Sequence, residues 1–499
     1  MRGRDWYGAV KQAREVLRGQ ESSGRRAEAA AAMVRAFRGL HDYKSCLSTF
    51  QEYRELILEN CSFKASKKAV LACCESLQRL GMFSDLVELA DSLPRRYVKS
   101  PSVSGMLQAA LLYSDAGRSL VAAQNALARS EKEKTLYMGR LAFALLAQGT
   151  SPQEVEQVIR NWKSIKLGPG EILYRGGYLD AALASRLGLH DVVLENLNKE
   201  FENNGLVPLA LKNPLQGFKV DNLHSSTAAA VQEGPMVTVL MPAFNASEHI
   251  RTAVDAVLGQ THFNLELIIV NDHSSDETLE KALKYRERDS RVRVFSLAEN
   301  RGPYVARNVG LVHARGDYIA VHDSDDFSHP QRLEMQLKWI LEKGACACMT
   351  GWVRADDKGR VLLLADGRIL HRDLSSMIFS RHVFETLGFF DHVRASGDSE
   401  YLHRITSYFG AENVLLHTGT CLALGRLRPD SLTRCAAFGY DDFGFNPVRA
   451  RYWEMFRRWH NECRHSGNVP YLDFPQSQRR FQAPEELCSP GHMPPYEIY

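Results

Sequence analysis

The sequence predicts an α + α/β protein, with an N-terminal helical-repeat region followed by a domain of short buried strands alternating with helices around a mostly parallel sheet. Two observations carry this expectation. Over residues 1–222 the chain breaks at Gly39, Gly81, Gly117, Gly149 and Gly188, spacings of 42, 36, 32 and 39 residues. From Val237 to Asp326 four apolar runs alternate with three helical stretches, closing on Asp323-Ser324-Asp325-Asp326. A length of 499 residues suits more than one hydrophobic core.

In the first region three breaks look alike: Gly39-Leu40-His41-Asp42, Gly81-Met82-Phe83-Ser84-Asp85 and Gly188-Leu189-His190-Asp191. Small residues crowd the flanking stretches, as from Ala27 to Ala32 and at Ala109-Ala110, and close helix packing needs such residues. A helix-turn-helix period in the thirties predicts a tetratricopeptide-like α-solenoid. Residues 223–235 form a polar linker ending on Gly234-Pro235.

The α/β domain is expected over 236–446. Val237 to Met241 is a strand halted by Pro242, and Ser247 caps a helix running to about Gly259. Leu265 to Val270 is the second strand, and Asp276 opens the second helix. Val292 to Leu297 is the third strand. A helix from Val305 to Ala314 then leads through Gly316-Asp317 into a fourth strand, Tyr318 to Val321. Runs of this length separated by helices predict parallel strands with both faces covered. Residues 447–499 form a C-terminal helix, with Tyr452, Met455, Phe456, Trp459 and Cys463 at helical spacing, and a Pro- and Gln-rich tail that wraps or dangles.

Composition narrows the function classes. A net charge of +3 gives no argument for nucleic-acid binding, and no apolar run of the length a membrane span needs is present. Ten cysteines lack any C-x-x-C or zinc-type spacing, so reduced thiols in a cytoplasmic protein are expected. The Trp459 stripe leaves room for peripheral association with the inner face of a membrane.

Ligands of open parallel sheets collect beyond the carboxyl ends of the strands. Phe244-Asn245, Asn271-Asp272, Asp323 and Asp325 all fall at such ends. Two aspartates one residue apart can hold a hard divalent cation against a diphosphate. Four pieces in order, Pro242-Ala243-Phe244-Asn245, Val270-Asn271-Asp272-His273-Ser274, Asn300-Arg301-Gly302 with Ala306-Arg307-Asn308, and Asp323-Ser324-Asp325-Asp326, carry a family resemblance. From Val237 to around Thr433 the chain resembles the inverting, nucleotide-sugar-dependent glycosyltransferases of the GT-A fold, family 2.

That resemblance implies a role for each residue. Pro242, Ala243, Phe244, Asn245 and Ser324 would line the nucleotide-sugar site, with Phe244 stacked on the base. Asp272 would accept a hydrogen bond from a uracil ring N–H, and Arg307 would meet the base or a phosphate. Asp323 would face ribose and diphosphate, and with Asp325 would ligate Mn²⁺ or Mg²⁺. The base that deprotonates the acceptor hydroxyl would be Asp398, which follows Gly388-Phe389-Phe390-Asp391, with Glu400 the competitor. Gly397 stands where the family commonly has an acid, and Asn271-Asp272-His273 replaces a frequent Asp-Asp-Gly. Arg428 of Arg426-Leu427-Arg428 would clamp the diphosphate. The implied partners are a nucleotide sugar, probed as UDP, and a glycan or lipid-linked glycan acceptor. The helical region would dock the acceptor or a protein partner. Two rivals are a transferase-like scaffold that only binds and a nucleotidyltransferase. The second would want a Gly-rich, basic loop after the first strand, where Met241-Pro242-Ala243-Phe244-Asn245 stands.

Overall fold

The computed structural model describes residues 6–39, 42–79, 82–98, 103, 106–107, 110–111, 141–146, 149–164, 177–225, 231, 233–363, 368–428, 431–432, 435, 439, 446–490, 492 and 494–499. The turns expected at Gly81 and Gly117, and Pro429, Asp430 and Thr433 of the Arg-rich loop, lie outside these residues. The chain forms two compact units. One comprises Met1–Trp162, Leu364–Arg368 and Ala437–Asn461, and the other Lys163–Leu363, Ile369–Ala436 and Glu462–Tyr499.

The first unit is helical. Its described helices are α1 (Trp6–Arg18), α2 (Ser23–Gly39), α3 (Tyr43–Asn60), α4 (Phe63–Arg79), α5 (Phe83–Ser92), α6 (Arg95–Val98) and α7 (Pro152–Ser164). Alanines make the packing close: Ala30, Ala31 and Ala36 of α2 are buried in one cluster with Cys46 and Phe50 of α3 and Ala69 and Cys73 of α4. Asp42 stops the α2–α3 turn by accepting the Ser45 N–H at 3.1 Å, one of the donors a helix start leaves unpaired.

The second unit opens with α8 (Gly177–Arg186) and α9 (His190–Asn203), followed by the two-stranded pair β1 (Leu209–Leu211) and β2 (Leu223–Ser225). The other strands are β3 (Val237–Ala243), β4 (Leu265–Asn271), β5 (Val292–Leu297), β6 (Tyr318–Val321), β7 (Phe327–Ser328), β8 (Ala347–Asp356), β9 (Leu370–Arg372), β10 (Ile378–Ser380), β11 (Val414–Leu427) and β12 (Tyr496–Ile498). They join in one sheet of order β12-β5-β4-β3-β6-β10-β8-β11-β7, with β9 against β8. Every residue of β3 and β4 is buried, as strands covered on both faces must be. The intervening helices are α10 (Ile250–Leu258), α11 (Thr278–Arg288), α12 (Pro303–His313), α13 (Arg332–Lys343), α14 (Arg381–Leu387) and α15 (Gly397–Phe409). Most of α16 (Pro447–Ser466), through Asn461, falls in the first unit, and Tyr452 and Phe456 on it are fully buried.

The sheet corrects the expectation of a mostly parallel arrangement, because it is mixed. Strands β3, β4, β5, β6, β8 and β11 point one way, and the short β7, β9, β10 and β12 run against them. Segments β9 and β10, joined through the 3-10 turn Leu374–Ser376, run one after the other along β8, both antiparallel to it. The common direction still delivers the ends of β3, β4 and β6 to one edge.

The tail after α16 wraps. Leu472 N–H donates to the Leu387 carbonyl at 3.1 Å, and Phe389 N–H to that of Leu472 at 2.9 Å. Arg394 N–H donates to Leu487 O at 2.7 Å and Ser489 N–H to His392 O at 2.9 Å. Finally β12 pairs antiparallel with β5, Glu497 opposite Ser296. No helix among the described residues is long and apolar enough to cross a membrane.

Candidate active site

Strand β3 buries Pro242 and Ala243 and then releases Phe244, which is 47% exposed. Asn245 follows with φ of 45°, a left-handed conformation that Asn tolerates better than most side chains. Its N–H donates to Ser274 Oγ at 3.0 Å and its Oδ1 accepts the Ser275 N–H at 2.9 Å, tying the β3 and β4 exits together. Ser247 does not cap a helix here. Its N–H donates to Asp276 Oδ2 at 3.0 Å, and α10 starts at Ile250.

Asp272, just past β4, is buried. Its Oδ1 accepts the Arg301 N–H at 2.7 Å, and its Oδ2 accepts the Gly302 N–H at 2.7 Å and Asn300 Nδ2 at 3.1 Å. Burial pushes this carboxyl above the usual range, against the pull of those backbone donors and of Arg394 and His273. A carboxylate has about four acceptor positions, so these bonds leave capacity for a further N–H.

Past β6 the acidic turn meets arginines. Arg307, from α12, is 3% exposed and donates from Nη2 to Asp323 Oδ1 at 2.6 Å. Its guanidinium lies over Tyr304 at 5.1 Å and Phe390 at 5.9 Å. Arg428 Nε lies 3.5 Å from Asp325 Oδ2. Asp326 is buried and accepts the Arg426 N–H at 2.8 Å. Burial first, then the neighbouring carboxylates, holds Asp326 well above the ordinary range, and burial also raises Asp325 against the charge of Arg428. Ser324 is buried in the same turn.

Among the described residues no cluster of three or more His, Cys, Asp or Glu could hold a metal by itself. Asp323 and Asp325 offer hard oxygen donors of the kind Mg²⁺ or Mn²⁺ takes, and such ions are commonly held by one or two carboxylates with substrate phosphates completing the shell. The pair therefore fits a divalent cation bound together with a diphosphate.

Helix α15 supplies the last acid. It begins at Gly397 after Ser396, whose φ is 65°, so Asp398 lies inside the first turn with its Oδ1 accepting the Ser399 N–H at 2.6 Å. A carboxylate there is favoured by the helix dipole. Asp323 bonds the Arg307 guanidinium, and the charge of Asp398 acts on it as well. Burial would lower the Arg307 pKa, but the charges of Asp323, Tyr304 and Asp398 outweigh it and raise it above the arginine norm. Glu400 points elsewhere. It is fully buried and accepts Arg404 Nη2 at 2.8 Å.

Gly397 is explained by Tyr304, since a Cβ at this position would lie 2.8 Å from the Tyr304 ring. Gly397→Ala is expected to destabilise the fold by about 1–3 kcal/mol through overpacking, read as a lowered midpoint in urea unfolding. Gly397→Ala combined with Tyr304→Leu should recover most of that loss.

Several residues at the site escape sequence reasoning. Arg426, read only as part of the Arg-rich stretch, is buried at the acidic turn, and Asp221 pairs with it at 2.6 Å from before the α/β domain. Arg394 Nη1 donates to Asn300 Oδ1 at 2.7 Å and so fixes the turn that holds Asp272. Burial along β11 is continuous from Cys421 to Leu427, so no alternation marks Arg426. Nothing local marks Asp221.

Comparison with known proteins adds a family match: residues 238–393 match Glycosyl transferase family 2. An uncharacterized glycosyltransferase of Haemophilus influenzae is 39% identical over 108 residues, 22% of this chain and 43% of that protein. The UDP-Glc:alpha-D-GlcNAc-diphosphoundecaprenol beta-1,3-glucosyltransferase WfgD of Escherichia coli is 38% identical over 107 residues, 21% of this chain and 42% of that one. The chondroitin synthase of Pasteurella multocida is 39% identical over 115 residues, 23% of this chain and 12% of that one. The chain thus spans less than half the length of these relatives.

Proposed function

We propose, on the match of residues 238–393 to glycosyl transferase family 2, that this chain transfers a sugar from a nucleoside-diphosphate sugar, with UDP as the nucleotide, to a hydroxyl of a glycan or lipid-linked glycan in cell-surface polysaccharide or glycoconjugate synthesis. The observation that carries this reading is the shared guanidinium of Arg307, bonded to Asp323 and within electrostatic reach of Asp398. It supports a single cleft with a diphosphate end and an acceptor end. The donor named for the Escherichia coli relative, UDP-Glc, and its lipid-diphosphate acceptor support the substrate classes.

In this reading Phe244 stacks on the base and Asp272 accepts its ring N–H. Asp323 and Asp325 hold the divalent cation, whose charge, when bound, offsets that of the departing diphosphate. Arg428 stays near Asp325 to meet phosphate oxygens, a role suited to a planar guanidinium. Asp398 accepts the proton of the acceptor hydroxyl as its oxygen attacks the anomeric carbon. The bond to the diphosphate breaks on the opposite face, and the diphosphate leaves with the electron pair, so the configuration inverts. The helical unit, read as an α-solenoid, docks the acceptor or a protein partner.

Calorimetry tests the donor end. UDP is expected to bind at least tenfold more tightly with Mn²⁺ than without, and Asp325→Ala should abolish that gain while leaving the metal-free affinity within about threefold. Equal affinities in the parent protein with and without Mn²⁺ would refute the cation role. No UDP binding under either condition would refute the transferase reading.

A further inference from the structure

We propose that Asp221, outside the family-matched residues, is a positioning residue that fixes the acidic turn at 323–326 through Arg426 for donor binding. The inference rests on the transferase reading, since it gives that turn its task.

Asp221 stands on a rigid base. It belongs to the 3-10 turn Val220–Asn222, and Asn222 is buried with Nδ2 donating to Asn213 O at 2.7 Å and to Gly217 O at 2.8 Å. Asn222 Oδ1 in turn accepts the Asn213 N–H at 2.9 Å. From this base Asp221 Oδ1 accepts Arg426 Nη2 at 2.6 Å and Thr252 Oγ1 at 2.7 Å, and His249 Nδ1 lies 3.7 Å from Oδ2. Burial alone would raise the Asp221 carboxyl. The nearby His249 ring, the Thr252 hydrogen bond and the charge of Arg426 win, holding it at about 2.

The other end of the bridge reaches the acids. Arg426 is 4% exposed; its Nε donates to the Asp325 carbonyl at 3.2 Å and its backbone N–H to Asp326 Oδ1 at 2.8 Å. One guanidinium therefore grips the backbone of the residue expected to ligate the cation. A buried guanidinium needs a counter-charge to keep its place. The other carboxylate that pairs with its guanidinium among the described residues, Asp357, is 3.5 Å from Nη1 on a side chain 63% exposed, a weak and screened partner. Thr252 and His249 flank the start of α10, the helix that follows the Phe244–Asn245 exit. Asp221 thus ties the nucleobase end of the site to its diphosphate end. Among the described residues Asp398 shares no hydrogen bond with this network, so its chemistry should be spared.

The test uses the full chain with Asp221→Asn, Asp221→Glu and, as control, Asp357→Asn. UDP affinity with Mn²⁺ is measured by calorimetry, donor KM and kcat by UDP release from the accepted UDP-sugar, and stability by thermal melting. Asp221→Asn should weaken Mn²⁺-dependent UDP binding and raise the donor KM roughly tenfold, with kcat within about threefold, because a charge-assisted hydrogen bond is lost. Asp221→Glu should recover part of the affinity, and Asp357→Asn should match the parent protein. Unchanged UDP affinity and KM in Asp221→Asn, or a lowered melting point with KM unmoved, would overturn the proposal. If the parent protein fails to bind UDP, the transferase reading falls, and this inference with it. Normal parent binding with an unaffected Asp221→Asn overturns the positioning role alone.

Discussion

Asp398→Asn is expected to bind UDP with Mn²⁺ as the parent protein does and to turn over about 10²–10⁴-fold more slowly, the range a positioned general base contributes. The asparagine keeps the shape of the first turn of α15 and can still accept the Ser399 N–H that Asp398 takes at 2.6 Å. It cannot accept the acceptor's proton. Single-turnover transfer measured beside calorimetry separates the two effects. A variant with near-parent turnover would move the base elsewhere. One that lost UDP binding would show Asp398 acting through Arg307 on the donor end, since its charge acts on that guanidinium.

Glu400→Gln is expected to have the opposite signature, with a stability loss of about 3–5 kcal/mol and near-parent kcat for the folded fraction. Both partners of the Glu400–Arg404 pair are fully buried. Arg404 also donates to the Leu387 carbonyl at 2.7 Å and to the Phe389 carbonyl at 2.7 Å, so it cannot move to water without releasing the segment that leads to α15. Removing the one carboxylate bonded to it leaves a cation in a dry site. Burial raises the Glu400 pKa, and Arg404 opposes that shift, which suits a structural pair better than a solvent-facing base. Urea unfolding and kcat at low temperature check this. A large kcat loss at unchanged stability would return Glu400 to candidacy as the base.

Legibility in the sequence followed the range of the interactions. Strands β5 and β6 lie where the apolar runs place them, and β3 and β4 extend slightly beyond their runs, because double-sided burial writes itself into consecutive residues. The acids at the strand ends were legible for the same reason, since each follows directly on such a run. Strand β10 was not, because three residues carry no period and its place is set by β6 and β8. Gly397 read as a missing acid until the Tyr304 ring supplied its cause. Asp221 was invisible because its partner Arg426 is remote in the chain, and a lone aspartate in a polar stretch announces only a turn.

The wrapping tail has a consequence for synthesis on the ribosome. The segment from Leu387 to Arg394, which feeds α15, exchanges backbone hydrogen bonds with Leu472, Leu487 and Ser489, and β5 receives its outer neighbour from Tyr496–Ile498. A nascent polypeptide halted before these positions has its acids but not the clasp that orders their approach. Competence should therefore wait until residues 472–498 have emerged and joined a sheet already assembled.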